Sequence, residues 1–201
     1  MTLRLMVYDK TCTGRGLLPG LTHSWMAGAR LYGALGRLDA SFGATSWSEA
    51  LDFCATYRPE ATIREIQFWG HGNWGTAKID GEVLSVDSLQ TNHPHRPLLE
   101  RVRDRFEPDG LWWFRTCETF GTERGQTFAA AFADFMRVRI AGHTFVIWCA
   151  QSGLHTLRPG ETPDWPVDEG LSPKTDLRAR WSTVGAPNTI SFLTGTIPEG
   201  Y

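Results

Sequence analysis

A chain of 201 residues fits one domain, and at that length folding hides roughly 70% of the unfolded surface, so neither disulfide nor metal is needed to hold a core. The net charge of −2 and pI near 6.3 exclude the basic field that draws a protein onto nucleic acid. The first ten residues lack the apolar stretch of a signal peptide and no apolar run approaches a membrane span, so a soluble, cytoplasmic protein with no membrane partner is expected, though specialised secretion would leave no mark.

In chain order, residues 3–8 (LRLMVY) form a short apolar run suited to a buried strand. A turn-rich stretch with Gly14, Gly16, Pro19 and Gly20 follows, and Thr22 is placed to cap a helix bearing Trp25, Met26, Ala29, Tyr32, Leu35 and Leu38 at helical spacing. Ser46 or Ser48 opens a second helix carrying Ala50, Leu51, Cys54 and Tyr57, stopped by Pro59. Ile63–Trp69 is the second strand and ends at Gly70-His71-Gly72. A small hairpin turning at Asp80-Gly81 comes next.

Asp87 to Phe106 is amphipathic and helical around a break at Pro94 and Pro97, and Leu111–Phe114 is a third strand running into Arg115-Thr116-Cys117. Thr122 to Met136 carries a helical stripe of Phe128, Ala131, Phe132 and Phe135. His143–Trp148 (HTFVIW) reads as a fourth strand ending at Cys149. Beyond residue 155 lie six of the eleven prolines, with a late strand near Thr189–Leu193. Strand and helix alternate, which predicts an α/β fold: a mostly parallel central sheet with helices on both faces over 1–155, and an irregular, loop-rich extension over 156–201 packed on it.

In an open parallel sheet, ligands collect at the carboxyl ends of the strands. Three predicted strands lead into reactive side chains there: His71, Cys117 and Cys149. A nearby imidazole lowers a thiol's pKa and later protonates a leaving amine, so His71 and Cys117 on adjacent strands make a candidate nucleophilic dyad. The amides of Gly70, Gly72 and Cys117 are candidate oxyanion donors. The four cysteines (Cys12, Cys54, Cys117, Cys149) show no CxxC spacing and are read as free thiols. A zinc site of His71, Cys117, His143 and Cys149 is disfavoured because His143 would begin its strand while the others end theirs. Asp164 and Asp168 lie in a Pro-rich loop, where a carboxylate recognises a basic group or simply faces solvent.

The blocks IQFWGHGNWG and LWWFRTCETFG, each an apolar strand leading to His-Gly or to Cys, resemble the caspase-like (clan CD) cysteine peptidases, bacterial type. The Asp80-Gly81 hairpin after His71, and the helix and strand after Cys117, follow the order of elements in that superfamily. The resemblance spans roughly residues 1–155. It implies a three-layer caspase-like domain and a thiol protease acting on a protein or peptide substrate without metal or organic cofactor. His71 would be the acid/base, Cys117 the nucleophile, and Gly72 with the Cys117 amide the oxyanion donors. Arg115 would line the pocket for the substrate side chain and favour an acidic one, or else pair with Glu118. Trp74, Cys149 and Asp164 are the further candidate substrate contacts.

The chain departs from the caspase Gln-Ala-Cys-x-Gly signature, because Glu118-Thr119-Phe120-Gly121 follows the cysteine. A carboxylate beside the thiol opposes thiolate formation. Two alternatives therefore stand: an inactive caspase-like module binding a protein or glycan through Trp69, Trp74, Trp112, Trp113, Trp148 and Trp165, or a Cys-His transferase or deamidase.

Overall fold

A computed structural model describes residues 1–15, 18–172 and 175–201; Gly16 of the expected turn lies outside them. Six strands form the central sheet: β1 (Thr2–Asp9), β2 (Ala40–Ala44), β3 (Thr62–Trp69), β4 (Phe106–Arg115), β5 (Arg139–His143) and β6 (Leu154–Leu157). Their spatial order is β2-β1-β3-β4-β5-β6; all pair in parallel except β6, which lies antiparallel on β5. Successive side chains alternate between the two faces of the sheet. Leu5 and Val7 of β1, Ile66 and Phe68 of β3, and Trp112 and Phe114 of β4 share one core. Met6 and Trp69 belong to a second, and Leu111 and Trp113 to a third. Burial on both faces is why these strands read as nearly continuous apolar runs.

The helices divide three to one. α2 (Trp47–Thr56), α3 (Arg96–Arg103) and α4 (Thr122–Met136) supply Trp47, Leu99, Phe128 and Phe132 to the first core. α1 (Leu21–Ala34) lays Ala29 and Tyr32 over Met6 and Trp69 on the opposite face. Beyond α1 that face is covered by the C-terminal segment, where Ile190, Ile197 and Tyr201 pack on Leu111, Trp113 and Leu154. The expected α/β class, mostly parallel sheet and helices on both faces are therefore present.

Several expectations are corrected. Gly20, with no side-chain cap, precedes α1; Thr22 is turned inward instead and donates to the Asp9 carbonyl at 3.0 Å. Ser46 does cap α2, accepting from the Glu49 amide at 3.1 Å. The edge strand β2 was not foreseen, since ASFGA has neither a branched apolar run nor clean alternation. The hairpin after β3 has three short strands, His71–Asn73, Thr76–Ile79 and Glu82–Leu84. Only Arg96–Arg103 of the 87–106 stretch is α-helical, after a short 3₁₀ turn at Val86–Leu89.

The strand expected at His143–Trp148 lies instead at Arg139–His143, β5. Beyond His143 the run TFVIW leaves the main sheet and bonds to the C-terminal segment. The Val146 amide donates to the Arg180 carbonyl and the Ser182 amide to the Val146 carbonyl. His143 consequently ends its strand rather than beginning it. The expected boundary at 155 falls inside β6, so the chain beyond it completes the sheet edge and part of one core. The late strand shrinks to Ile190–Ser191, paired with Ala150–Gln151.

Candidate active site

Trp69 of β3 and Arg115 of β4 are register partners. Both strands end at this pair, and two residues further along each chain segment stand His71 and Cys117. Connections leave β1 toward β2 and leave β3 in the opposite direction, toward β4. The switch point thus lies between β1 and β3, and the carboxyl ends of β3 and β4, where His71 and Cys117 follow, sit beside it on the edge where open α/β sheets hold ligands. A cavity of about 720 Å³ opens there, lined by His71, Cys117, Gly70, Trp69 and Arg115 together with residues of α1, loop 146–149 and the C-terminal segment.

The backbone around the cysteine is tightly fixed. The Thr116 and Thr119 hydroxyls are 2.6 Å apart, and Thr119 also donates to the Thr76 carbonyl at 3.2 Å. The amide of Glu118, a residue with φ of 45°, donates to the Phe145 carbonyl at 2.9 Å, and the Phe120 amide donates to the His143 carbonyl at 3.0 Å. Gly72 packs into this turn: a Cβ there would collide with Thr119 Oγ1 and the Cys117 carbonyl. The His turn and the Cys turn thus touch through backbone, which only glycine permits. His71 itself is exposed, stands edge-on to Trp25 of α1 with ring centroids 5.6 Å apart, and pairs across the hairpin with Lys78.

Cys117 is half-buried, its Sγ 3.9 Å from the Ile147 carbonyl. Burial pushes its thiol above the ordinary value and the Glu118 charge adds to that, opposed by hydrogen bonding from the Ile147 backbone. The expected lowering by the imidazole is not among these causes, and the net shift runs upward. Glu118 is itself raised by burial, opposed by the charge of Lys78.

Arg115 does line the cavity, but as a buried floor. Its Nε and Nη2 donate to Gln151 Oε1 at 3.1 and 2.7 Å, and Nη2 also to the Phe192 carbonyl at 3.1 Å. Nη1 donates to Tyr32 Oη at 2.7 Å and to the Thr194 carbonyl at 3.0 Å. The guanidinium lies 4.6 Å from the centre of the Trp69 ring and 4.4 Å from that of Trp113, within the range of cation–π contact. Burial lowers its pKa, partly offset by Tyr32. Among the described residues no carboxylate forms an ion pair with it, so the expected pairing with Glu118 is absent.

No protein-family model matches this chain, and no curated protein matches it.

Of the other expected contacts, Cys149 is exposed on the cavity rim, in a loop rather than at a strand end. Trp74 packs over Gly121 at the start of α4, away from the cavity lining. Asp164 is exposed and does not line the cavity; its neighbour Trp165 is buried, stacked between His155 and Phe120. The expected crowding of Trp residues is likewise corrected. Trp112 is core, Trp113 lies under Arg115, and the cavity uses Trp25, Trp69, Trp148 and Trp181. Trp25 and Trp181 come from distant helical and C-terminal segments, and no local pattern marked them. His143 is fully buried, with Nδ1 3.1 Å from the Ser152 carbonyl, Nε2 unpartnered, and burial pushing its pKa down to about 3.

Proposed function

We propose that this protein is a caspase-like cysteine peptidase in which Cys117 is the nucleophile and His71 the acid/base. One observation carries the reading: two neighbouring parallel strands end at the same register pair, and two residues past each end stand an imidazole and a thiol that line the same cavity. Burial favours the thiol over the thiolate, so attack is base-assisted. The thiol proton passes to His71 as the Sγ–C bond forms at the peptide carbonyl. His71 then gives that proton to the leaving amine as the C–N bond breaks. Water, deprotonated by His71, cleaves the thioester to release the acid and restore the thiol.

The amides of Gly72 and Cys117 are proposed as donors to the oxyanion. The substrate is a protein or peptide, and the steps need no metal or organic cofactor. Among the described residues no helix is long and apolar enough to cross a membrane. A second reading, a binding module that grips a protein through the exposed Trp148 and Trp181, draws on the raised thiol.

Iodoacetamide labelling across pH 5–9, followed by mass spectrometry at each cysteine for wild type and His71→Ala, separates the two. The peptidase reading expects Cys117 to label near neutral pH faster than its raised pKa alone allows, with a rate that drops roughly tenfold or more without His71. Labelling indifferent to His71 sinks it.

A further inference from the structure

We propose that the cavity selects a large, uncharged apolar side chain, aromatic or long aliphatic, on the residue that supplies the attacked carbonyl. This rests on the peptidase reading of the Cys117 site and adds the substrate class.

The attacked carbon must lie about 3–3.5 Å from the nucleophile, and the side chain of the residue bearing it is only two bonds away. A cavity that itself contains Cys117 and His71 therefore receives that side chain. At about 720 Å³ it is larger than a short side chain requires, and falls within the roughly 300–1,000 Å³ range of sites that enclose a drug-sized apolar group.

Its walls are apolar. Among the described residues ten large apolar side chains stand open to solvent, and four of them, Leu21, Leu31, Trp148 and Trp181, line this one cavity. Trp148 and Trp181 are 58% and 66% exposed, and exposed indoles gathered at one opening mark a surface that binds. Both rim segments are held: Trp148 Nε1 donates to the Ser182 carbonyl at 2.9 Å, and the Ser182 amide to the Val146 carbonyl at 2.8 Å. The walls are thus largely preformed.

The floor decides against charge of either sign. A basic side chain would meet the buried Arg115 guanidinium, and the lining contains no Asp or Glu to receive it. An acidic side chain finds the cation but no free donor on it, since Nε, Nη1 and Nη2 together make five hydrogen bonds to neutral acceptors. A carboxylate would have to break one of these bonds and shed its water among indoles, a loss that attraction to an already solvated cation does not recover. The acidic preference implied by the resemblance is replaced here by an apolar one.

The test uses the full chain and peptidyl acyloxymethyl ketones sharing one peptide, with Trp, Phe, Leu, Asp or Lys next to the ketone. Each reagent alkylates Sγ and loses its carboxylate, and adducts at Cys117 are timed by intact mass. The apolar reagents are expected to label at least about tenfold faster than Asp or Lys, and Leu31→Glu should shift the Lys-to-Phe rate ratio upward by a similar factor. If Cys117 reacts in a His71-dependent way but Asp or Lys is fastest, the specificity inference is overturned while the dyad stands. If no reagent labels and iodoacetamide is indifferent to His71, both fall.

Discussion

The two faces of the sheet are covered in different ways. On one, α2, α3 and α4 form a continuous roof over a single apolar core in which Trp112, Phe114, Phe128 and Phe132 pack ring against ring at 5.1–5.9 Å. On the other, the cover is split between α1 and the C-terminal segment, and Gln67 and Arg115 are buried there in hydrogen-bond networks. The closed face spends its contacts on stability. The split face leaves a crevice at the strand ends, and its polar networks hold the two covers at a fixed spacing.

The C-terminal cover is held largely by its carbonyls. Those of Phe192, Leu193, Thr194 and Gly195 accept in turn from Arg115, Arg37, Arg115 and Arg4, and Tyr32 Oη donates to the Phe192 carbonyl at 2.6 Å. Backbone that lacks a sheet partner must find donors elsewhere, and three arginines provide them. The buried cation is therefore a fastener between the two covers as well as the cavity floor.

The sharpest way to break this comparison is to truncate one aromatic on each side. Phe132→Ala in the closed core should destabilise the protein by about 3–5 kcal/mol, whereas Trp181→Ala on the cavity rim should change stability by less than ~1 kcal/mol. Urea unfolding of both variants measures the contrast, and equal losses would show that the rim is part of the core. Next in size, Arg115→Met leaves Gln151 Oε1 without its two donors and the Phe192 and Thr194 carbonyls with Tyr32 Oη alone, and should cost about 2 kcal/mol or more. Hydrogen exchange should report faster opening across 190–197, with the α4 amides little changed. A uniform increase would mean that the covers are not separately fastened.

A further expected effect, seen only on acidification, is a pH dependence. His143 is buried neutral, with a pKa pushed down by burial to about 3, while an unfolded histidine titrates near 6.5. Between those values the unfolded chain binds the extra proton. The contribution is thus fully present above about pH 6.5 and is lost progressively as pH falls toward 3. His143→Gln should flatten the fall in stability between pH 6 and 4, read from urea midpoints. An unchanged slope would assign acid sensitivity elsewhere, with Glu169 the next group to examine. Burial tends to raise that carboxyl, but hydrogen bonds from His155 and Thr144 hold it below its ordinary value, so its contribution is also lost on acidification.

What the sequence read well was local. Apolar runs at 3–8, 63–69 and 111–114 gave strands because each is buried on both faces, and helical spacing gave α1, α2 and α4. The same runs put His71 and Cys117 just past strand ends, which a parallel sheet turns to one side. The misreadings share a cause. Ala40–Ala44 gains its strand from pairing with β1, and in HTFVIW the chain past His143 bonds through Val146 to the C-terminal segment instead of to a main-sheet strand.

The site divides in the same way. Residue type and strand position by themselves determined the nucleophile and its base as candidates. Only the tertiary structure decided their surroundings: that Trp25 meets His71, that Trp181 joins the rim, and that Arg115 is satisfied by carbonyls 77 and 79 residues away. Periodicity reports which face of an element is covered. It carries no record of which distant segment supplies the cover, and that choice sets both the burial of the thiol and the chemistry of the cavity.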